Sequence, residues 1–173
     1  MERTGLLQIA GKDVTVIGPD LEIGQKAPEA KLQAQDWSWV DLLRSTTGKV
    51  RIIAAVPSLD TNVCNIETKR FNQEAASLDP NIVILTVSTD LPYSLKNWCA
   101  ATGVDKVHLY SDHYDASFGE KYGTLVKERR IHRRAVFVVD KNDKLVYVDY
   151  MPALGEQPNY EEVLAAAKQA LAS

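Results

Sequence analysis

The chain has 173 residues, 45% of them apolar and 25% charged, with a formal net charge of −3. These values describe a globular chain long enough to bury a core, and the slight acidity speaks against a nucleic-acid surface. No apolar run approaches the roughly 20 residues of a membrane span. Met1-Glu2-Arg3-Thr4-Gly5 lacks the basic start and apolar core of a signal peptide, so the expected location is the cytoplasm.

From the N-terminus, Leu6–Ala10, the turn Gly11-Lys12-Asp13 and Val14–Ile17 predict a β-hairpin. Gly24-Gln25-Lys26-Ala27-Pro28 reads as a loop, because Pro28 biases Ala27 to an extended form. Lys31–Gln35 alternates as a half-buried strand does, and Asp36–Val40 continues it after a turn. Trp37 and Trp39, two positions apart, are expected to share one face as packing residues. A short helical turn is expected between Leu42 and Gly48.

The apolar run Val50–Val56 predicts a central strand, and Cys64–Leu78 predicts the first long helix. Ile82–Ser88 is apolar throughout and rich in β-branched residues, as suits a strand covered on both faces. Strand, helix, strand implies a right-handed crossover. Tyr93–Thr102 reads as a second helix, opened by Pro92 and ended by Gly103. Val107–Tyr110 is expected as a short strand, Ser111–Asp115 as a loop, and Ala116–Tyr122 as a short helix ended by Gly123. Arg134–Asp140 and Leu145–Tyr150 predict an antiparallel pair turned at Lys141–Lys144. Glu161–Leu171 closes the chain as a helix, with Asn159 as its cap. This order predicts a single α/β domain over residues 1–173, with a mixed central sheet.

The chemistry centres on the stretch Pro57-Ser58-Leu59-Asp60-Thr61-Asn62-Val63-Cys64. It places Cys64 in the first turn of a helix, where unpaired N–H groups and the positive end of the dipole favour an anion. Cysteines activated in this way reach pKa values of about 3.5–7.5, and the thiolate is the nucleophile. The Thr61 hydroxyl can turn back to the sulfur or to a bound substrate oxygen, while Pro57 stiffens the loop and shields the sulfur. The two cysteines are too far apart for Cys-x-x-Cys or for the common zinc spacings, and in a reducing compartment they read as redox-active or catalytic. His108, His113 and His132 show no ligand spacing and are expected in loops or on the surface, so no metal and no cofactor is expected. Taken alone, Cys99 reads as a buried, inert thiol.

Pro-x-x-x-Thr-x-x-Cys after a strand resembles the active-site signature of the peroxiredoxins, and the longer Pro57-Ser58-Leu59-Asp60-Thr61-x-x-Cys64 is similar to their atypical 2-Cys thiol peroxidase subgroup. The likeness runs on through Phe71-Asn72, Asp90-Leu91-Pro92-Tyr93-x-x-Lys96-x-Trp98-Cys99, Arg134-Ala135-Val136-Phe137-Val138 and Gln157-Pro158-Asn159-Tyr160-Glu161, nearly the whole chain. The resemblance implies a thioredoxin-like fold and a thiol-dependent peroxidase. It implies Cys64 as peroxide-attacking thiol, Cys99 as its resolving partner in an intrachain disulfide, and Arg134 as the cation that completes the site. Arg133 next door should face the other way, by strand alternation. The resemblance also implies hydroperoxide substrates, alkyl ones preferred, thioredoxin as reductant, and a homodimer. Trp37, Trp39 and the basic stretch Lys127–His132 depart from that pattern. An alternative is a redox-sensing binding module that uses the same disulfide as a switch. A cysteine hydrolase fits poorly, since no histidine is placed as a base beside Cys64.

Overall fold

A computed structural model describes all residues, Met1–Ser173. In chain order its elements are β1 (Glu2–Arg3), β2 (Gln8–Ile9), β3 (Lys12–Asp13), β4 (Val16–Ile17), β5 (Lys31–Gln33), β6 (Trp39–Asp41), β7 (Val50–Ala55), α1 (Asn62–Ala75), β8 (Ile82–Ser88), α2 (Pro92–Thr102), β9 (His108–Ser111), α3 (Ser117–Tyr122), β10 (Leu125–Val126), β11 (Ile131–His132), β12 (Ala135–Val139), β13 (Leu145–Tyr150) and α4 (Tyr160–Ala172). Seven strands form one mixed sheet in the order β13-β12-β7-β8-β9-β5-β6. The centre, β7-β8-β9, is parallel, and β12, β13, β5 and β6 add antiparallel pairs at the two sides. The mixed central sheet flanked by helices is the α/β architecture expected.

The period-2 alternation of the strands builds two cores. Ile52, Ala54 and Val56 turn to one face with Val136 and Val138, where α1, α2 and α4 supply Phe71, Leu95, Val163 and Ala167. Ile53 and Ala55 turn to the other face with Leu85, Val87 and Phe137, covered by Phe118 and Tyr122 of α3 and by Leu42 and Leu43. Every residue of β7 is buried, which is why its sequence is an unbroken apolar run around one arginine. That arginine, Arg51, satisfies its charge at the N-terminal end of β7. It donates to the Asp143 carboxylate at 2.8 Å, to Thr46 Oγ1 and to the carbonyls of Leu43 and Asp140. The opposite, C-terminal end of β7 leads into the Cys64 loop. No helix is long and apolar enough to cross a membrane.

Three expectations need correction. The N-terminal hairpin exists but turns at Ala10-Gly11, whose φ angles of 52° and 74° are both left-handed, as a two-residue primed turn requires. Val16 and Ile17 leave it to pair with Glu2–Arg3 on one side and Leu125–Val126 on the other. Two-residue strands carry no alternation to read, so this four-stranded sheet was invisible in the sequence. Trp37 and Trp39 do not share a strand face: Trp37 sits in the turn with φ 70° and Trp39 is 48% exposed on β6. Alternation does not carry through a turn. Finally, His132 is fully buried rather than on the surface. Its Nδ1 lies 2.8 Å from Thr124 Oγ1 and its Nε2 3.2 Å from the Asp112 carboxylate. The exposed residues Lys127–Arg130 before it, all basic but Glu128, disguised a chain that dives back into the core.

Candidate active site

Strand β7 delivers the chain to Val56 and Pro57, both buried, and a turn through Ser58–Asp60 aims it into α1. Thr61 is the cap of that helix, with φ −84° and ψ 148°. Its Oγ1 accepts from the Cys64 backbone N–H at 3.4 Å and donates to the Ser58 carbonyl at 3.0 Å. The hydroxyl therefore satisfies one of the helix's free N–H groups. The sequence expectation aimed it at the sulfur; here its hydrogen goes to Ser58.

Cys64 is the third residue of α1 and is fully buried. Its Sγ accepts from Arg134 Nη2 at 3.1 Å. Arg134 stands just ahead of β12, itself 1% exposed, and each of its three guanidinium nitrogens donates. Nη1 donates to the Glu67 carboxylate, and Nε and Nη2 donate to the Leu154 carbonyl at 3.1 and 2.9 Å. One guanidinium thus fixes the thiol, the helix that carries it and the loop after β13. Arg133 faces away, as alternation required: it donates to Asp20 at 2.9 Å and lies over the Tyr150 ring at 4.3 Å.

Glu67 is a residue the sequence reading missed. It lies three residues after Cys64, hence on the same side of α1, and a spacing of that kind was available as a signal. Burial pushes its carboxyl up to about 7, against the pull of Arg134. Its Oε1 is buried with no hydrogen-bond partner. Its other oxygen accepts from Arg134 Nη1, while the sulfur takes Nη2.

Beside the turn that leads to Cys64 is a depression of about 210 Å³ lined by Pro57, Thr61, Asn62, Val63, Leu154 and Gly155. Its surface is largely apolar, and Thr61 is among the residues that line it. Cys99 lies on α2, half-buried against the apolar core to which Cys64 belongs. Both thiols are free. Burial raises the Cys99 pKa, partly offset by the Gln35 amide, which donates to its Sγ at 3.5 Å. Cys99 also lines an open groove of about 490 Å³ with Gln35, Asp36 and His108. Thus Pro57, Thr61, Cys64 and Arg134 come together at one point, while Cys99 stands on a neighbouring helix outside it.

A family model described as Redoxin matches residues 22–164. The thiol peroxidase of Oceanobacillus iheyensis is 49% identical over 88% of this chain and 92% of its own length. That of Bacillus subtilis is 43% identical over 91% of this chain and 93% of its own. Among solved structures, a peroxiredoxin-like protein from Aquifex aeolicus superposes with a TM-score of 0.88 at 37% identity, covering 97% of both chains. The chain belongs to the redoxin family, among its thiol peroxidases, and is a peroxiredoxin-type, thiol-dependent peroxidase.

Proposed function

We propose that this chain reduces hydrogen peroxide and organic hydroperoxides through a two-cysteine cycle within one polypeptide, recycled by thioredoxin. The Cys64 thiolate attacks the terminal peroxide oxygen. The O–O bond breaks, the sulfur keeps the hydroxyl as a sulfenic acid, and the alkoxide or hydroxide takes a proton and leaves as alcohol or water. Arg134 stabilises the thiolate and then the charge that develops on the departing oxygen. Thr61 orients the peroxide by rotating its hydroxyl, and Pro57 with Leu154 keeps bulk water from the sulfur. The Cys99 thiol then displaces water from the sulfenic acid to give a Cys64–Cys99 disulfide. A dithiol protein of the thioredoxin kind reduces that disulfide by exchange, returning both thiols.

The observation that carries this reading is the 3.1 Å contact between Arg134 Nη2 and the buried Cys64 Sγ. A cation has been brought to a shielded thiol in a helix's first turn, which is what a thiolate nucleophile needs. The apolar lip formed by Pro57, Val63 and Leu154 favours organic hydroperoxides. A reducing compartment such as the cytoplasm suits a cycle that must begin with two free thiols.

The test is steady-state peroxide consumption coupled to thioredoxin and its reductase, with hydrogen peroxide compared against an organic hydroperoxide. Sustained turnover that vanishes in Cys64→Ser supports the cycle. Stoichiometric oxidation without turnover would favour the redox-sensing reading instead.

A further inference from the structure

Asp90 lies in the bend between β8 and α2, and both oxygens of its carboxylate are engaged. Oδ1 accepts from Ser58 Oγ at 2.7 Å. Oδ2 accepts from the Leu59 N–H at 2.9 Å and from Ser88 Oγ at 2.8 Å. The Asp90 carbonyl accepts from Ser111 Oγ, which ties the bend to the end of β9. No cation pairs with the carboxylate; hydroxyls and one main-chain N–H meet its charge, and such bonds are stronger than neutral ones.

Ser58 and Leu59 belong to the turn that starts α1. The Ser58 carbonyl accepts from both the Thr61 N–H at 3.1 Å and the Thr61 hydroxyl at 3.0 Å, and that hydroxyl caps the Cys64 N–H. A continuous line of hydrogen bonds therefore runs from the Asp90 carboxylate to the turn holding Cys64. On its other side Asp90 is followed by Leu91 and Pro92, the cap and first residue of α2, the helix that carries Cys99. Leu91 offers no side-chain cap, so the placing of that helix start falls to the bend. One residue is thus joined to the peroxide-attacking turn through its carboxylate and to the resolving helix through its main chain.

We propose that Asp90 is a positioning residue that holds the Cys64 turn wound for the peroxide step and must release it for the disulfide step. The inference rests on the two-cysteine cycle above. A disulfide requires Cα atoms about 4.4–6.8 Å apart, whereas helices packed side by side hold their axes about 8–10 Å apart. Cys64 and Cys99 sit on two helices, α1 and α2, that share one core, so at that general spacing the bond calls for part of one of them to unwind. A contact that favours the wound turn speeds the step that uses it and slows the step that needs it open. Removing the Asp90 contacts should therefore move the two rates in opposite directions. General destabilisation has no such signature.

The experiment measures both steps separately on the full chain: sulfenic acid formation in a rapid-mixing single turnover, and disulfide formation by acid quench and mass spectrometry. Asp90→Ala should slow peroxide reduction by about tenfold and speed disulfide formation by a similar factor, the scale expected for hydrogen bonds to a charged group. Asp90→Asn should lie nearer the wild type, because its amide oxygen still accepts from Leu59 while its NH2 group can donate to Ser58 Oγ. Ser58→Ala, which keeps the Leu59 contact, should shift both rates in the same senses by less, and it decides the matter if Asp90→Ala does not fold. Two rates that fall together, or that stay unchanged in the folded variants, overturn the assignment of Asp90 and leave the cycle standing. A wild type that reduces peroxide with no Cys64–Cys99 bond overturns the cycle itself.

Discussion

Arg134 and Cys64, 70 positions apart in sequence, meet across 3.1 Å in a place neither shares with solvent. The contact is built from two unrelated local rules. Thr61 caps a helix so that Cys64 falls in its first turn, and in the extended chain leading into β12 Arg134 turns to Cys64 while Arg133 turns the opposite way, to Asp20. Arg is suited to the position because it stays charged when buried and can serve Cys64, Glu67 and Leu154 at once.

Arg134→Ala should lower the second-order rate of peroxide reduction by roughly a hundredfold to a thousandfold, the loss of about 2.7–4 kcal/mol typical of an oxyanion-stabilising donor. Arg133→Ala should leave that rate near the wild type and cost stability, since its contacts are to Asp20 and the Tyr150 ring. Stopped-flow rates and thermal melts on both variants check the pair. A large rate effect in Arg133→Ala with a silent Arg134→Ala would reverse the two roles.

Glu67 gives a stability prediction with a definite sign. Its carboxyl is pushed up to about 7 in the folded chain, against an ordinary 4.5. The folded chain then holds a proton that the unfolded chain has released, so this group's contribution falls as pH rises from about 4.5 to about 7 and is constant above. Glu67→Gln removes that dependence. Relative to wild type, the variant should gain stability across this window, by an amount on the order of 1.4 kcal/mol per unit of the shift. Denaturant unfolding of both proteins at pH 5, 6, 7 and 8 measures it; a difference independent of pH contradicts the assignment.

Thr61→Val should destabilise the chain by about 1 kcal/mol through loss of the cap and should slow peroxide reduction, because the Cys64 turn frays and no hydroxyl remains to orient the substrate. Thr61→Ser restores the hydroxyl and should recover most of both. Equal rates in the Val and Ser variants would remove the hydroxyl from the chemistry and leave it a cap alone.

The parts of this molecule that repeat a pattern were legible before any coordinates. The apolar runs Val50–Val56 and Ile82–Ser88, Pro92 and Gly103 bracketing α2, and Asn159 ahead of α4, whose side chain accepts from the Glu162 N–H at 3.1 Å, each follow from local chemistry. The motif around Cys64 and the choice of Arg134 were legible through the peroxiredoxin resemblance, strand alternation adding only that Arg133 and Arg134 face opposite ways. What could not be read depends on distant chain. Val16–Ile17 finds its partners at Glu2–Arg3 and Leu125–Val126. His132 is buried because Asp112 and Thr124 await it. Asp90 looked like a residue ahead of a helix, yet its carboxylate anchors Ser58 and Leu59, 32 and 31 positions earlier. Glu67 was within reach, since its helical spacing from Cys64 was visible, but only the burial of Arg134 explains why an acid is needed there.

The most direct measurement is the fate of the two sulfurs after one equivalent of peroxide. The full chain is oxidised, alkylated without reduction, and mapped by peptide mass spectrometry beside Cys99→Ser. The account predicts an intrachain Cys64–Cys99 disulfide in the wild type. In Cys99→Ser it predicts one fast reduction per chain that stalls with Cys64 as sulfenic acid, or further oxidised. A covalent dimer in the wild type, or full thioredoxin-coupled turnover by Cys99→Ser with no disulfide formed, would contradict it.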